Sequence, residues 1–253
     1  MEFWKLVIIG LFLPLFPFSM VFNLLFARLE HLLLRIMLLI AWPLSGLVMI
    51  DILEPDISSG AAIVVGWSVL TSALYALRLL VLRELNLWTG FLATSLWALL
   101  WIPATQGQGF ASLQLDAIGF SAPLVLLVIV GSLLSARFGA AYAGLYNGIA
   151  RDMPRLSTVL VICILAAIGT PLFPVFFSML SFMMQTTVLP AIAMLLIWLL
   201  WSWAGALMIQ GFVVGEADIA YPGEDISPGL SLVLMMTLAA LIVSGVTLIG
   251  VIA

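Results

Sequence analysis

Eight long apolar runs, separated by short connections that hold nearly all of the charge, organise this chain. The runs are 6–26, 32–50, 60–80, 87–104, 118–136, 157–181, 187–213 and 229–251. A helix needs about 20 residues to cross a hydrocarbon core of about 30 Å, and each run is roughly that long. Because backbone polar groups inside a bilayer must bond within their own segment, we expect each run to be helical. The pattern predicts an all-α, polytopic transmembrane bundle of about eight spans, in a single integral membrane domain covering 1–253.

The composition fits a chain embedded in lipid and excludes several kinds of site. Hydrophobic residues make up 65% of the chain and charged residues 8%, with a mean hydropathy of +1.31. The single cysteine, Cys163, excludes a disulfide framework, and the single histidine, His31, excludes haem held between two histidines. A net charge of −4 with few basic residues argues against a nucleic-acid partner. We therefore expect a protein that is not an enzyme and that has no catalytic residue, metal or cofactor.

The basic residues of the connections predict an orientation. Seven of the eight lie in or beside the first, third and fifth connections, which share one side of the membrane: Arg28, Arg35, Arg78, Arg83, Arg137, Arg151 and Arg155. The opposite side carries Lys5. Because Lys and Arg are enriched in cytoplasmic loops, we expect these connections to face the cytoplasm. Both termini would then lie outside, in a bacterial cytoplasmic membrane.

Charged side chains near the ends of the runs form two groups. Possible intramembrane or interfacial charges are Arg35, Asp51, Arg78 and Asp116. The ordinary interpretation is that such side chains extend along apolar surface until the charge reaches water. If Arg78 pointed into the bundle instead, its charge would need a partner and would mark a functional site. The second group lies in the predicted cytoplasmic connections, where we expect docking of partner proteins: Arg137, Arg151, Asp152, Arg155, Glu216, Asp218, Glu224 and Asp225.

Two of the runs contain helix-breaking residues. Pro14 and Pro17 predict a kink or an unwound turn in the first run. In the sixth run, Gly169, Pro171 and Pro174 lie within six residues, so we expect a broken helix near 169–179. A break at membrane depth is tolerated where it is buried in protein or lines a wet cavity, and in transporters such breaks mark ion sites. Proline kinks also occur in transmembrane helices that transport nothing, so the break alone leaves both interpretations open.

The segment around this break resembles a known family. Its pattern is a loop at 147–148, Pro154, an apolar helix, and then Gly169-x-Pro171 followed by Phe176 and Ser178. It is similar to the antiporter-like subunits of NADH:quinone oxidoreductase and their relatives in membrane hydrogenases, multisubunit sodium/proton antiporters and inorganic-carbon uptake complexes. The resemblance covers 137–215. It implies a place beside other membrane subunits, such as a full-length antiporter-like subunit, among lipids and with a possible soluble cytoplasmic subunit.

The chain departs from that family in two ways. Family members have roughly fourteen helices in two inverted units, so this chain resembles a shortened member whose first half-channel is missing or reduced. The resemblance also implies an ionisable residue just after the Phe-x-Ser element, where this chain has Met179. A thioether has no proton to relay. The stretch 156–215 contains no Asp, Glu, Lys, Arg or His. We expect this half-channel to be inactive, or the ion path to run elsewhere.

Two functional hypotheses follow. The favoured one is a non-catalytic membrane subunit of a complex I-like ion-translocating assembly, with a packing, anchoring or coupling role. The alternative is an autonomous minimal transporter of protons, sodium ions or a small solute. Dependence on a partner separates them, because an accessory subunit should be unstable or inert alone.

Overall fold

The computed structural model describes residues 3–55, 57, 60–145, 148–215 and 224–252, with side chains as far as Thr247. Over these residues the chain forms twelve helices: α1 (Phe3–Phe12), α2 (Met20–Arg28), α3 (Leu32–Leu53), α4 (Ala61–Leu79), α5 (Leu85–Ala98), α6 (Trp101–Thr105), α7 (Phe110–Phe138), α8 (Ile149–Asp152), α9 (Pro154–Ala167), α10 (Pro174–Gln185), α11 (Val188–Val213) and α12 (Pro228–Ile252). In this part of the chain, six apolar helical segments are long enough to cross a bilayer, with α5 and α6 counted together. The predicted all-α, polytopic architecture is confirmed.

Two of the apolar runs are each divided into two short helices. The first run becomes α1 and α2, separated by 13–19, which we name the first break. The sixth becomes α9 and α10, separated by 168–173, which we name the second break. The broken helix expected near 169–179 is confirmed, and the interruption itself lies at 168–173. Helix α10 already begins at Pro174, because proline is well tolerated at the first helical position, where its missing N–H is not needed.

Helix α5 forms the centre of the bundle and packs against α2, α4 and α7. Every side chain from Leu92 to Ala98 is buried. Four tryptophans on α5 and on other helices are fully buried: Trp88 and Trp97 of α5, Trp101 of α6 and Trp201 of α11. Outer helices such as α12 leave most of their side chains exposed on the surface of the bundle. The molecule thus has a dense protein-filled centre surrounded by helices with an apolar outer face.

Backbone hydrogen bonds join several connections at one end of the bundle. The Leu85 amide donates to the Ala141 carbonyl at 2.9 Å, and the Ala143 amide donates to the Arg83 carbonyl at 2.8 Å. The Gly144 amide donates to the Gly211 carbonyl, also at 2.8 Å. The segments before α5, after α7 and at the end of α11 therefore meet at this end. This agrees with an alternating topology, while the side of the membrane that this end faces stays a prediction.

Candidate functional site

The second break turns the chain sharply at membrane depth. Gly169 has a φ of +76° and Leu172 a φ of +91°, so two residues out of six adopt the left-handed side of conformational space. Glycine enters that region at little cost, whereas a leucine there is strained. Leu172 lies on the surface of the bundle and Phe173 returns to the interior. Leu172 is strained because the chain must turn from the end of α9 to the start of α10 within six residues.

Two of the carbonyls released by this turn are bonded inside the protein. Both the amide and the hydroxyl of Thr170 donate to the Leu165 carbonyl, at 3.1 Å and 3.0 Å. The Trp198 indole N–H, from α11, donates to the Ile168 carbonyl at 2.9 Å. An unbonded carbonyl in hydrocarbon costs several kcal/mol, so these contacts explain how the break is tolerated. They also occupy lone pairs of both carbonyls.

Neighbouring helices cover the break closely. The Phe176 ring packs edge-on to Trp198 with centroids 5.4 Å apart. Gly245 of α12 lies so near the Leu172 carbonyl that a Cβ atom added there would overlap it. The same Cβ would lie 3.0 Å from the Phe173 carbonyl carbon. The absence of a side chain at Gly245 therefore lets α12 rest directly on the backbone of the second break.

Met179, at the position where the family resemblance implies an ionisable residue, lies in apolar surroundings. Met179 is fully buried and belongs to the hydrophobic core of the bundle. One turn further along α10, the Phe182 ring packs edge-on to Phe120 of α7, with centroids 5.9 Å apart. The Met179 side chain therefore contributes to packing of the core.

A carboxylate nevertheless reaches this region from another helix. The sequence places Asp116 at the end of a run, but α7 begins at Phe110, so Asp116 lies inside the helix, about 9 Å along its axis. Asp116 is half-buried, and its Oδ1 accepts a hydrogen bond from the Ser178 hydroxyl at 2.6 Å. Its Oδ2 accepts from the Gln108 side-chain amide at 3.1 Å. The structure thus brings an ionisable group next to Ser178, the residue that precedes Met179.

The other three interfacial charges lie at the surface. The Arg35 Nε donates to the Leu29 carbonyl at 2.5 Å, and its guanidinium lies 5.6 Å from the centre of the Phe26 ring. Asp51 is exposed at the end of α3. Arg78 is exposed as well, but it lines a groove on the outside of the bundle rather than pointing into the centre.

The residues predicted to dock partners divide into those available and those bonded within the chain. Arg151 and Asp152 are exposed. The Asp225 carboxylate instead accepts hydrogen bonds from the backbone amides of Arg155 and Leu156, at 2.8 Å and 3.1 Å, at the start of α9. A carboxylate is favoured there because it satisfies free N–H groups and meets the positive end of the helix.

Four further residues were predicted to dock partners. The half-buried Arg137 donates to the Leu133 carbonyl of its own helix at 3.4 Å. Glu224 is exposed. Glu216 and Asp218 lie outside the described residues. The docking role of all these residues stays a prediction.

The first break was expected from its prolines, but the groups that stabilise it were not. Three indole N–H groups from other helices donate to carbonyls at this point of the chain. Trp67 donates to Phe16 at 2.7 Å and Trp101 to Leu13 at 3.1 Å, both within the break, and Trp42 donates to Leu11, in the last turn of α1, at 3.1 Å. The Phe16 amide donates to the Thr71 hydroxyl at 3.0 Å. Gly46 of α3 packs on this break, because an added Cβ would lie 2.8 Å from the Leu13 amide nitrogen. The number of tryptophans in the sequence was a signal, but their partners were not readable from it.

A polar seam beside the first break was also missed as a unit. Asn23 of α2 donates to the Thr94 hydroxyl of α5 at 2.8 Å, and the Ser19 and Tyr75 hydroxyls are 2.8 Å apart. Deeper in the bundle, the Trp201 indole donates to the Ser95 hydroxyl at 2.9 Å. The seam joins α2, α4, α5 and α11 through neutral groups, so it specifies packing without adding charge to the centre.

Comparisons with known proteins identify the fold. No protein-family model and no curated protein sequence matches the chain. Among solved structures, a chain of the Mrp complex from Dietzia sp. DQ12-45-1b superposes with a TM-score of 0.81 at 12% identity, over 96% of this chain and 55% of that chain. A chain of respiratory complex I from Thermus thermophilus superposes with a TM-score of 0.83 at 16% identity, over 94% of this chain and 52% of that chain.

A third likeness comes from an archaeal respiratory complex. A chain of the membrane-bound sulfane sulfur reductase superposes with a TM-score of 0.83 at 17% identity, over 96% of this chain and 52% of that chain. The chain therefore spans about half the length of the solved chains it matches. At these identities the likeness shows the fold. The resemblance predicted from the second break is confirmed at that level: this integral membrane protein has the fold of about half of a chain found in Mrp, complex I and sulfane sulfur reductase assemblies.

Proposed function

We propose that the chain is a non-catalytic membrane subunit of a multisubunit, complex I-like ion-translocating assembly, in which it packs beside, anchors or couples other subunits. The observation that carries the proposal is the fold, which is shared with chains of three multisubunit membrane complexes at TM-scores of 0.81 to 0.83. The buried Met179 supports a module without the usual ionisable group at the second break. The bonded carbonyls of Leu165 and Ile168 support the same conclusion, because they leave fewer backbone ligands for an ion.

The end of the bundle formed by the connections 80–84 and 139–145 is the proposed docking surface for a cytoplasmic partner. Arg151 and Asp152 stand exposed beside it, at the end of α8. The α9 start is instead fixed by Asp225, so a partner would contact a surface that is already rigid. The membrane neighbour would cover the outer helices, which expose large apolar side chains such as Leu196 and Leu199 of α11.

Gentle-detergent purification of the tagged chain, followed by mass spectrometry of co-purifying proteins, tests this proposal. We expect a stoichiometric full-length antiporter-like subunit in the preparation. Exchanging the exposed charges, as in Arg151→Asp with Asp152→Arg, should lower the yield of a soluble partner. Asp51→Arg is the matched control, because it alters an equally exposed charge on a different helix. A stable, lone species that dissipates a pH gradient in liposomes would overturn the proposal.

One observation favours the alternative of an autonomous proton or sodium transporter. The Asp116 carboxylate, held by the Ser178 hydroxyl at 2.6 Å, provides a titratable group beside the second break from a helix other than α10. The buried side-chain oxygen of Gln108 accepts no hydrogen bond from a described residue and lies in the same cluster. Carboxylate, hydroxyl and amide oxygens are suitable partners for a proton or a hard cation.

Ion flux into liposomes that contain only the purified chain distinguishes this alternative. It requires that Asp116→Asn abolish flux, whereas Asp51→Asn, an exposed carboxylate at the end of α3, should leave flux unchanged. Flux by neither the wild-type chain nor either variant excludes autonomous transport and leaves the subunit proposal standing.

A further inference from the structure

The groove that Arg78 lines opens on the outside of the bundle and combines one cation with apolar walls. Its cavity volume is about 580 Å³, within the range of sites that hold small molecules. Helices α2, α4 and α5 form its walls, largely from the apolar side chains of Met20, Leu24, Leu74 and Phe91. Three of these, Met20, Leu24 and Leu74, are 57%, 53% and 42% exposed, so the groove opens to the outside of the bundle.

The groove has a charged end and an apolar end. Ala27, Arg78 and Leu82 lie near the helix ends of α2 and α4, whereas Phe16 lies at the first break, deeper along the bundle. From Met20 to Ala27 the wall follows α2 for about 10 Å. The groove therefore has a positive charge at the helix ends and an apolar lining towards the middle of the bundle.

Arg78 is the one charged residue among the described residues that line the groove. No described residue forms a hydrogen bond or an ion pair with its guanidinium, although Glu84 lies nearby in sequence. The Glu84 carboxylate is occupied at the start of α5, where it accepts the amides of Asn86 and Leu87. The two neutral polar side chains of the wall bond to the interior: the Tyr75 hydroxyl is 2.8 Å from the Ser19 hydroxyl, and the Asn23 side-chain amide donates to the Thr94 hydroxyl at 2.8 Å. The positive charge therefore has no counter-charge from this part of the chain.

We propose that this groove binds an anionic phospholipid of the same bilayer, with an acyl chain along the apolar wall and the headgroup phosphate on Arg78. A guanidinium binds phosphate oxygens through two parallel hydrogen bonds, which suits a fixed headgroup. Basic pockets between transmembrane helices near the cytoplasmic surface bind anionic headgroups. The end of α4 that carries Arg78 is predicted to face the cytoplasm. A small soluble anion would leave the apolar wall uncovered, and a zwitterionic lipid would bring a second positive charge towards Arg78.

Lipid retention by the purified full-length chain tests the proposal. The protein is equilibrated in mixed micelles of phosphatidylcholine and phosphatidylglycerol, and bound lipid is counted by native mass spectrometry. We expect the wild-type chain to retain phosphatidylglycerol, and Arg78→Gln to lower that retention roughly fivefold, from about 1 kcal/mol per basic residue near an anionic headgroup. Arg28→Gln is the matched control, because Arg28 is an exposed arginine at the end of α2 that does not line the groove.

A second pair of variants tests the apolar wall. Leu74→Trp fills the groove and should lower retention of both lipids, whereas Leu77→Trp, at an exposed position of α4 that does not line the groove, should not. Leu74 and Leu77 are 42% and 52% exposed, so neither substitution disturbs the core. Equal phosphatidylglycerol retention by wild type and Arg78→Gln would overturn the proposal. Equal retention by the two tryptophan variants, or equal retention of the two lipids by the wild-type chain, would overturn it as well.

Discussion

The two breaks solve the same problem, the placement of backbone polar groups in hydrocarbon, with donors from different places. At the first break, tryptophans of α4 and α6 bond two of its carbonyls, and a tryptophan of α3 bonds a carbonyl in the last turn of α1. The Phe16 amide donates to a threonine of α4. In the second break, Thr170 bonds the Leu165 carbonyl from within the break itself, and one indole, Trp198, comes from outside. The side-chain hydrogen bonds of the first break therefore come from neighbouring helices, while those of the second come from its own threonine and from one indole.

The two breaks also differ in backbone strain and in the charged groups near them. The second break contains two residues with positive φ, Gly169 and Leu172, whereas the described residues of the first break contain none. A carboxylate, Asp116, contacts α10 through Ser178, five residues beyond the second break. Structural positions held from several sides are hard to move, and strained turns with few external bonds are easier to move. The comparison indicates that the first break is a structural joint and that the second is the place where a conformational response would occur.

The largest effect is expected at the first break. Trp101→Phe removes the donor to the Leu13 carbonyl at a fully buried site and leaves a small cavity. The loss should lower the free energy of unfolding by about 3 kcal/mol, combining an orphaned polar group with lost packing. Thermal unfolding in detergent, followed by size-exclusion chromatography, measures it. Trp203→Phe is the control, because Trp203 is 59% exposed. Equal effects of the two variants would show that the indole bonds are dispensable.

Close helix packing on the two breaks gives the next effect. Gly46→Ala and Gly245→Ala each place a methyl group against the backbone of the first or second break, respectively. Each should destabilise the chain by about 2 kcal/mol, because an overpacked site must shift. If the second break yields more easily, Gly245→Ala should cost less than Gly46→Ala. Gly66→Ala has nothing within 4 Å of the added atom and should be neutral or stabilising.

A smaller effect is expected from the polar contact beside the second break. Ser178→Ala removes the hydroxyl that donates to Asp116 and should cost about 1.5 kcal/mol, the value of a hydrogen bond to a charged group. Ser181→Ala is a suitable control, because Ser181 lies on the same helix and contacts Gln185 rather than Asp116. A thermal shift for Ser181→Ala as large as that for Ser178→Ala would remove the case for a special role of the Asp116 pair.

The smallest effect has the opposite sign. Leu172→Gly should stabilise the second break by about 0.5 to 1 kcal/mol, because glycine adopts a φ of +91° without strain and the leucine side chain is 53% exposed. The same measurement of thermal unfolding applies. Leu180→Gly, at an exposed position within α10, should destabilise instead, since glycine weakens a helix interior. A destabilising Leu172→Gly would mean that the positive φ carries no strain here.

The sequence was sufficient to locate the breaks but not their partners. Pro14 and Pro17, like Gly169 and Pro171, act locally, because a missing N–H or a reversed φ interrupts a helix wherever it occurs. The Asp116–Ser178 contact joins residues 62 apart, and its carboxylate sits in a helix that begins earlier than the hydropathy suggested. No local pattern encodes such a pairing.

Hydropathy also failed to show which helix is central. Helix α5 is almost entirely buried in protein and α12 mostly faces outwards, yet both are strongly apolar. In a soluble protein the polar face of a helix reveals its surface, but lipid is as apolar as a protein core, so that signal disappears. The four buried tryptophans around α5 were likewise consistent with an interfacial belt until their positions were known.

The close contact at Gly245 gives α12 a role in insulating the second break. The Leu172 carbonyl accepts no hydrogen bond from a described residue, and the bare backbone of α12 lies directly over it. If α12 moved away, water could reach that carbonyl and donate the hydrogen bond that no described residue supplies, so hydration would favour the displaced position. Displacement of α12 and wetting of the break should therefore occur together. A subunit that pushes or pulls on α12 would then control hydration at the centre of the membrane without touching the break itself.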